Sequence, residues 1–250
     1  MRVVILGAGT AIPAVRRSPA GVYVRVANEH VLLDAGAGSL QRLAAAGAPW
    51  QLLDRLFLTH YHLDHCLDLA SILFAYRLPQ LNRRKPLTIY GPPGLQRLYE
   101  RLDAAFHGWL TPRGFRLVLR ELRACRLRLP DYTVQTYPMS HYNTGALGYR
   151  LTAGRKHLSY SGDTGVCERV VELGRGADLF ILECSVTDER KIEGHLSPSE
   201  CGRIAAAAEC RHLVLTHFYP VFAGYEIRRR VRRFFRGRLT LAHDLEAFLV

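Results

Sequence analysis

Residues 59–65 read Thr59-His60-Tyr61-His62-Leu63-Asp64-His65, which puts three imidazoles and a carboxylate inside six residues. They follow the apolar run Leu56-Phe57-Leu58, which has the character of a buried strand. The spacing predicts a loop that leaves the strand at its C-terminal end and turns into a helix. Alternation places His60 and His62 on one side, as two imidazoles gripping one ion require. Asp64 and His65, past the strand end, can turn towards a second ion. Imidazole nitrogen combined with carboxylate oxygen suits zinc, manganese or iron better than magnesium or calcium, which take mostly oxygen ligands. The alternative is a surface loop that happens to be rich in histidine. Further histidines and carboxylates downstream that could serve as ligands weigh against it.

A chain of 250 residues can bury an ample core, and a single domain over residues 1–250 is expected, with no linker or low-complexity stretch to divide it. No apolar run is long enough to span a bilayer, and Val3-Val4-Ile5-Leu6 is too short for a signal-peptide core. A cytoplasmic protein with no membrane partner is therefore expected. Cys66, Cys125, Cys167, Cys184, Cys201 and Cys210 form no C-x-x-C pair and read as reduced thiols. The net charge of +12 favours polyanionic partners. Of the 34 basic residues only Lys85, Lys156 and Lys191 are lysine, so 34 − 3 = 31 are arginine. Coding bias produces the same skew, so the charge alone does not establish phosphate binding.

Along the chain, Arg2 to Ala11 reads as a strand ending in Gly7-Ala8-Gly9-Thr10. A dinucleotide-binding loop is disfavoured there, because the third glycine is missing and Pro13 follows at once. Arg16 and Arg17 beyond it are candidate phosphate contacts, or simply a solvated loop. Two strands follow, Gly21–Val26 and Val31–Asp34. Asp34 in Asp34-Ala35-Gly36 can brace the metal loop from behind or be a plain turn residue, and Ser39 is placed to cap a helix over 40–46. Helical spacing over 67–78 puts Leu69, Ile72, Leu73 and Tyr76 on one face. A strand over 87–90 and a helix over 93–106 come next. Phe115–Leu119 and Tyr132–Tyr137 read as strands of the second half of the molecule, the latter delivering His141. A hairpin over 147–160 delivers Asp163. Helix 168–173 and the buried strand Leu179–Glu183 lead to Ser197-Pro198-Ser199-Glu200, a capping box with proline at the first helical position. The last strand, His212–Thr216, presents His217. Residues 225–235 read as an amphipathic helix with Ile227, Val231, Phe234 and Phe235 inward. Its outer face is dense in arginine, and Arg228 and Arg232 are candidate nucleic-acid contacts.

The segment His60-x-His62-x-Asp64-His65, followed in order by His141, Asp163 and His217, resembles the H-x-H-x-D-H signature of the metallo-β-lactamase superfamily of binuclear metal hydrolases. Its closest flavour is the ribonuclease Z-like and small phosphodiesterase branch. The resemblance implies a four-layer αβ/βα sandwich with the metals at one rim of two sheets. It further implies two divalent ions, zinc first and manganese or iron as alternatives. His60, His62 and His141 would hold one, and Asp64, His65 and His217 the other, with Asp163 between them. A hydroxide shared by the ions would be the nucleophile, oriented by Asp64. His195, in Gly194-His195-Leu196-Ser197, matches a histidine that protonates the leaving oxygen in ribonuclease Z-like enzymes.

The sequence also departs from that branch. Only 163 − 141 = 22 positions separate His141 from Asp163, leaving no room for the basic arm with which tRNA-processing members clamp the tRNA elbow. The acidic turn typical after their third strand is replaced by Asp34-Ala35-Gly36-Ala37-Gly38. The expected activity is thus a phosphodiesterase acting on a nucleotide, a cyclic nucleotide or RNA. Three alternatives are weighed against it: a tRNA 3′-processing endoribonuclease without the arm; a carboxylic ester, lactone or aryl sulfate hydrolase; and a non-enzymatic RNA-binding protein. A monomer and a homodimer are both open.

Overall fold

The computed structural model describes residues 1–222 and 225–250. The first half opens with an antiparallel meander of β1 (Arg2–Gly7), β2 (Gly21–Val26) and β3 (Glu29–Leu33). It continues through α1 (Ser39–Ala45), β4 (Arg55–Phe57), α2 (Leu63–Cys66), α3 (Asp68–Arg77), β5 (Leu87–Gly91), α4 (Leu95–Ala105) and β6 (Leu117–Glu121). Here β3, β4, β5 and β6 run parallel. The second half repeats the plan. A meander of β7 (Arg126–Arg128), β8 (Thr133–Pro138), β9 (Leu147–Ala153) and β10 (Lys156–Tyr160) leads into α5 (Glu168–Gly174), β11 (Leu179–Glu183), α6 (Pro198–Ala207), β12 (His212–Thr216), α7 (Ile227–Val231) and β13 (Arg238–Leu241). Strands β10 to β13 are parallel. The chain closes with β14 (Ala247–Leu249), which returns to pair antiparallel with β1.

Two seven-stranded sheets result, in the orders β14-β1-β2-β3-β4-β5-β6 and β13-β12-β11-β10-β9-β8-β7. Strand alternation sorts their side chains into three apolar layers. Val3, Ile5, Val22, Val24 and Phe57 of one sheet meet Val134, Tyr149, Leu158 and Ile181 of the other. The opposite faces of the same strands pack against helices: Val4, Leu6, Leu32 and Ile89 with Leu43, Leu69, Ile72, Leu73 and Tyr76 on the first side. On the second side Phe180, Leu182, Leu213 and Leu215 pack with Val170, Ile204 and Val231. This is the four-layer αβ/βα sandwich.

Several local expectations change. Strand β6 belongs to the first sheet, not the second half, because it pairs in parallel with β5 from Leu87↔Leu117 to Gly91↔Glu121. Ser39 is not the cap of α1: the cap position is Gly38 at φ +86°, and Asp68 Oδ2 accepts from Leu40 N at 2.7 Å instead. The last amphipathic helix is cut to Ile227–Val231, with Ile227, Val231 and Phe235 buried and Phe234 exposed. The capping box at Ser197 and Glu200 forms as the sequence predicts. All six cysteines are free thiols. Among the described residues no helix is long and apolar enough to cross a membrane.

Candidate metal centre

Every predicted ligand leaves the C-terminal end of a strand at one rim of the sandwich. The loop after β4 carries His60 and His62, and α2 carries Asp64 and His65. The segments after β8, β10 and β12 carry His141, Asp163 and His217. The two halves are tied together beneath them, where Leu147 N donates to Thr59 O at 2.9 Å and the Tyr149 hydroxyl donates to Leu58 O at 2.6 Å. Two glycines let the loops close. A Cβ on Gly162, at φ +57°, would lie 2.6 Å from the Thr59 side chain, and one on Gly36 would lie 2.1 Å from Asp64 O. Asp34 and His217 themselves take the left-handed conformation at φ +57° and +61°. Such backbone costs non-glycine residues about 1–3 kcal/mol each and persists where surrounding bonds over-determine it.

Those bonds fix which nitrogen of each ring faces inward. Asp34 Oδ2 accepts from His65 Nδ1 at 2.7 Å, from Tyr160 Oη at 2.7 Å and from Thr59 Oγ1 at 2.9 Å; Oδ1 accepts from Thr59 N at 2.7 Å. With its proton directed to Asp34, Thr59 Oγ1 accepts from His60 Nδ1 at 3.0 Å. His141 Nδ1 donates to Gly194 O at 2.9 Å. His217 Nδ1 donates to Ser185 Oγ at 2.8 Å, which in turn donates to Glu183 Oε2 at 2.5 Å. In the neutral rings of His60, His65, His141 and His217, Nε2 is therefore left as a lone pair.

These lone pairs converge. His60 Nε2 and His141 Nε2 lie 3.0 and 3.1 Å from the same atom, His62 Nδ1, which can donate one proton at most. His65 Nε2 and His217 Nε2 face each other at 3.2 Å with no proton between them when both rings are neutral. Asp163 divides its oxygens between the two groups. Its Oδ1 is 3.2 Å from His65 Nε2 and 3.4 Å from His217 Nε2, while Oδ2 is 3.7 Å from His141 Nε2 and 3.9 Å from His60 Nε2. Asp163 Oδ1 is buried without a hydrogen bond of sound geometry. Asp64 Oδ2 reaches to 3.4 Å from His217 Nε2 and accepts from Ala11 N at 2.9 Å.

Such an arrangement calls for cations. An ion with nitrogens at 2.0–2.1 Å in a tetrahedron holds its ligands about 3.3 Å apart, close to the nitrogen spacings found here. Without metal, protons must serve. Burial alone would lower the pKa of His65, but the carboxylates of Asp163 and Asp34 hold it well above its ordinary value. Burial alone would raise Asp163, and the surrounding imidazoles, His217 and His65 foremost, keep it well below the carboxylate range.

His195 stands at the edge of the cluster, with its ring 5.0 Å from that of His141 and stacked 6.0 Å from that of His217. Its Nδ1 bonds Glu183 Oε1 at 2.9 Å, which leaves Nε2 for the cluster side. Burial pulls its pKa down, and the hydrogen bond and charge of Glu183 outweigh that and raise it. Glu183 also accepts from Thr164 N and Leu196 N, so one buried carboxylate sets the Asp163 loop, His195 and, through Ser185, His217. From the sequence alone, Glu183 is only the end of a strand. Its signal was a carboxylate closing the otherwise apolar run Leu179-Phe180-Ile181-Leu182.

The predicted basic contacts fare differently. Arg16 and Arg17 lie on the loop that reaches Asp64 through Ala11, and the Arg17 guanidinium stacks 4.5 Å over the Phe218 ring. Arg228 Nη1 donates to Leu239 O, and Arg232 Nη1 to Gly237 O and Phe235 O. Those two guanidiniums terminate backbone carbonyls of their own chain, and no hydrogen bond among the described residues links them to the cluster.

Fold and site together define a metal-dependent hydrolase. The β-lactamase superfamily domain matches residues 29–218, and the chain belongs to that superfamily. Within it, the chain is 29% identical to a ribonuclease Z of Methanothermobacter thermautotrophicus, over 91% of this chain and 89% of that protein. It is 31% identical to an uncharacterised protein of Mycobacterium bovis, over 88% and 81%. Human tRNase Z, short form, superposes with a TM-score of 0.81 at 25% identity, covering 100% of this chain and 99% of that one. A metallo-β-lactamase fold protein of Bacillus subtilis superposes with a TM-score of 0.85 at 24% identity, covering 99% and 98%.

Proposed function

We propose that the chain is a phosphodiesterase with two divalent ions, zinc in the first place, acting on a nucleotide, cyclic nucleotide or RNA phosphodiester. The observation that carries this reading is the opposition of inward lone pairs in two groups with the split carboxylate of Asp163 between them. His60, His62 and His141 would hold one ion, Asp64, His65 and His217 the other, and Asp163 both. Such ions, when bound, lower the pKa of water towards neutrality and neutralise charge developing on phosphoryl oxygens. The chain's own residues do the rest. Asp64, fixed by Ala11 N, orients the attacking water. Asp34, Ser185 and the Gly194 carbonyl hold the imidazoles in the tautomer that presents Nε2. His195, oriented by Glu183, protonates the departing oxygen from Nε2. Tyr219, whose ring stands perpendicular to those of His195 and His217 at 6.0 Å, shields that proton from bulk water.

The ribonuclease Z name of its relatives favours a phosphodiester over a carboxylic, lactone or sulfate ester. A single catalytic domain over residues 1–250 in the cytoplasm is the setting we propose, in keeping with six unpaired thiols. The test is hydrolysis of a panel holding bis-p-nitrophenyl phosphate, cyclic nucleotides, a tRNA precursor, a lactone and an aryl sulfate. Turnover is expected on the phosphodiesters. Turnover confined to the lactone or the sulfate would replace this reading with one of the other esterases.

A further inference from the structure

Beside the metal cluster lies a cavity of about 310 Å³, lined by Ile12, Ser185, Val186, Ile192, Tyr219 and Val221 among others. It adjoins the site through two residues. Ser185 lines the cavity and holds His217 Nδ1 at 2.8 Å. Tyr219 lines it and stands edge-on to the rings of both His195 and His217. Three separate loops bring large aliphatic side chains to it, and they remain open to solvent: Ile12 is 49% exposed, Ile192 50% and Val221 44%. Isolated exposed aliphatics are ordinary, but three around one concavity next to reactive groups make a binding surface.

The charge pattern decides what it binds. The chain has 34 lysines and arginines, yet among the described residues Arg190 is the single basic one in this lining, and no acidic one contributes to it. A further stretch of phosphate backbone would meet aliphatic carbon here. We infer that the cavity receives one ester arm of the substrate and takes it as a compact, flat ring with apolar faces, packed between Tyr219 and the Ile12, Ile192 and Val221 side chains. The inference rests on the reading of the adjoining cluster as a phosphodiesterase centre and names the chemistry of the group attached to the phosphorus. A nucleobase and a simple aryl group share that chemistry.

The test is calorimetric binding of methyl phosphate, phenyl phosphate and adenosine 5′-monophosphate to the metal-loaded protein, its Ile192→Asp variant and its Val221→Asp variant. Burying a ring should make phenyl phosphate bind about tenfold or more tighter than methyl phosphate in the unaltered protein. Both variants should reduce that ratio towards one. Tighter binding of the nucleotide than of phenyl phosphate assigns the ring to a base, and the reverse order assigns it to an aryl group. A ratio near one in the unaltered protein, a ratio preserved in both variants, or no binding of any of the three overturns the inference. Because binding is read without turnover, a ratio that behaves as expected alongside no hydrolysis of any phosphodiester would leave the cavity assignment standing and remove the proposed activity.

Discussion

His195 and Glu183 carry the sharpest claim at the scale of single residues. A proton donor matters most where the leaving oxygen is a poor anion, and general acid catalysis is typically worth 10²–10⁴-fold. His195→Ala should therefore lower kcat by about that factor on cyclic nucleotides or RNA, and far less on a p-nitrophenyl ester, with metal content unchanged. Glu183→Gln should show a weaker form of the same selectivity, since the amide still bonds Nδ1 but lacks the charge that favours imidazolium. Equal loss on good and poor leaving groups would mean that the pair holds structure or metal instead. The candidate ligands were legible in the sequence because H-x-H-x-D-H compresses four of them into six positions. Glu183 and Ser185 were not, because what they do depends on β11 lying beside β10 and β12, a long-range pairing that local sequence does not encode. The arginine density around Arg228 and Arg232 was legible too, whereas the carbonyls of their own chain to which their Nη1 atoms donate were not, because those bonds depend on how the helix meets β13 and the turn before it.

The local signals of α3 and α6 were legible in the sequence, and elements defined by their partners were not. The capping box fixed the start of α6, and four apolar residues at helical spacing fixed the buried face of α3. Strands β7, β13 and β14 went unread, at three or four residues each, because so short a run carries no period. The sheet to which β6 belongs is a matter of pairing with β5 alone. The edge of the second sheet supplies a prediction of its own. His212, at the start of β12, is buried with Nε2 bonded to Thr240 Oγ1 at 2.9 Å. Burial, reinforced by Arg238, lowers its pKa to about 4. The folded state thus favours the neutral ring. The stability this confers is fully present above the unfolded pKa of about 6.5 and is lost as pH falls from there towards 4. Denaturant unfolding at pH 7 and pH 5 should show the protein losing about 1–2 kcal/mol more than its His212→Gln variant, after allowance for water reaching the ring. A variant that loses as much as the parent protein would place the acid sensitivity elsewhere.

At the scale of the whole molecule, two half-molecules of the same plan meet face to face, and the ligands come from the loops of both. Metal held there would therefore also clamp the halves together. The net charge of +12 and the short hairpin of β9 and β10, where tRNA-processing enzymes of the resembled branch carry their arm, pull in different directions on substrate size. If RNA is held through the arginine surface, affinity should fall steeply with salt, with a slope near −0.7 per phosphate contacted for a single strand. Absent or salt-independent binding, read by titration at two ionic strengths, would leave the small phosphodiesters as the substrates. Two ions sharing Asp163 are the core of the proposed mechanism, and elemental analysis tests for them directly. Protein purified without chelator and saturated with zinc or manganese should hold two ions per chain. Asp163→Ala should lose most of both ions together with activity, since one side chain serves each group of imidazoles. A saturated protein holding one ion or none, or an Asp163→Ala variant that keeps two, would contradict it.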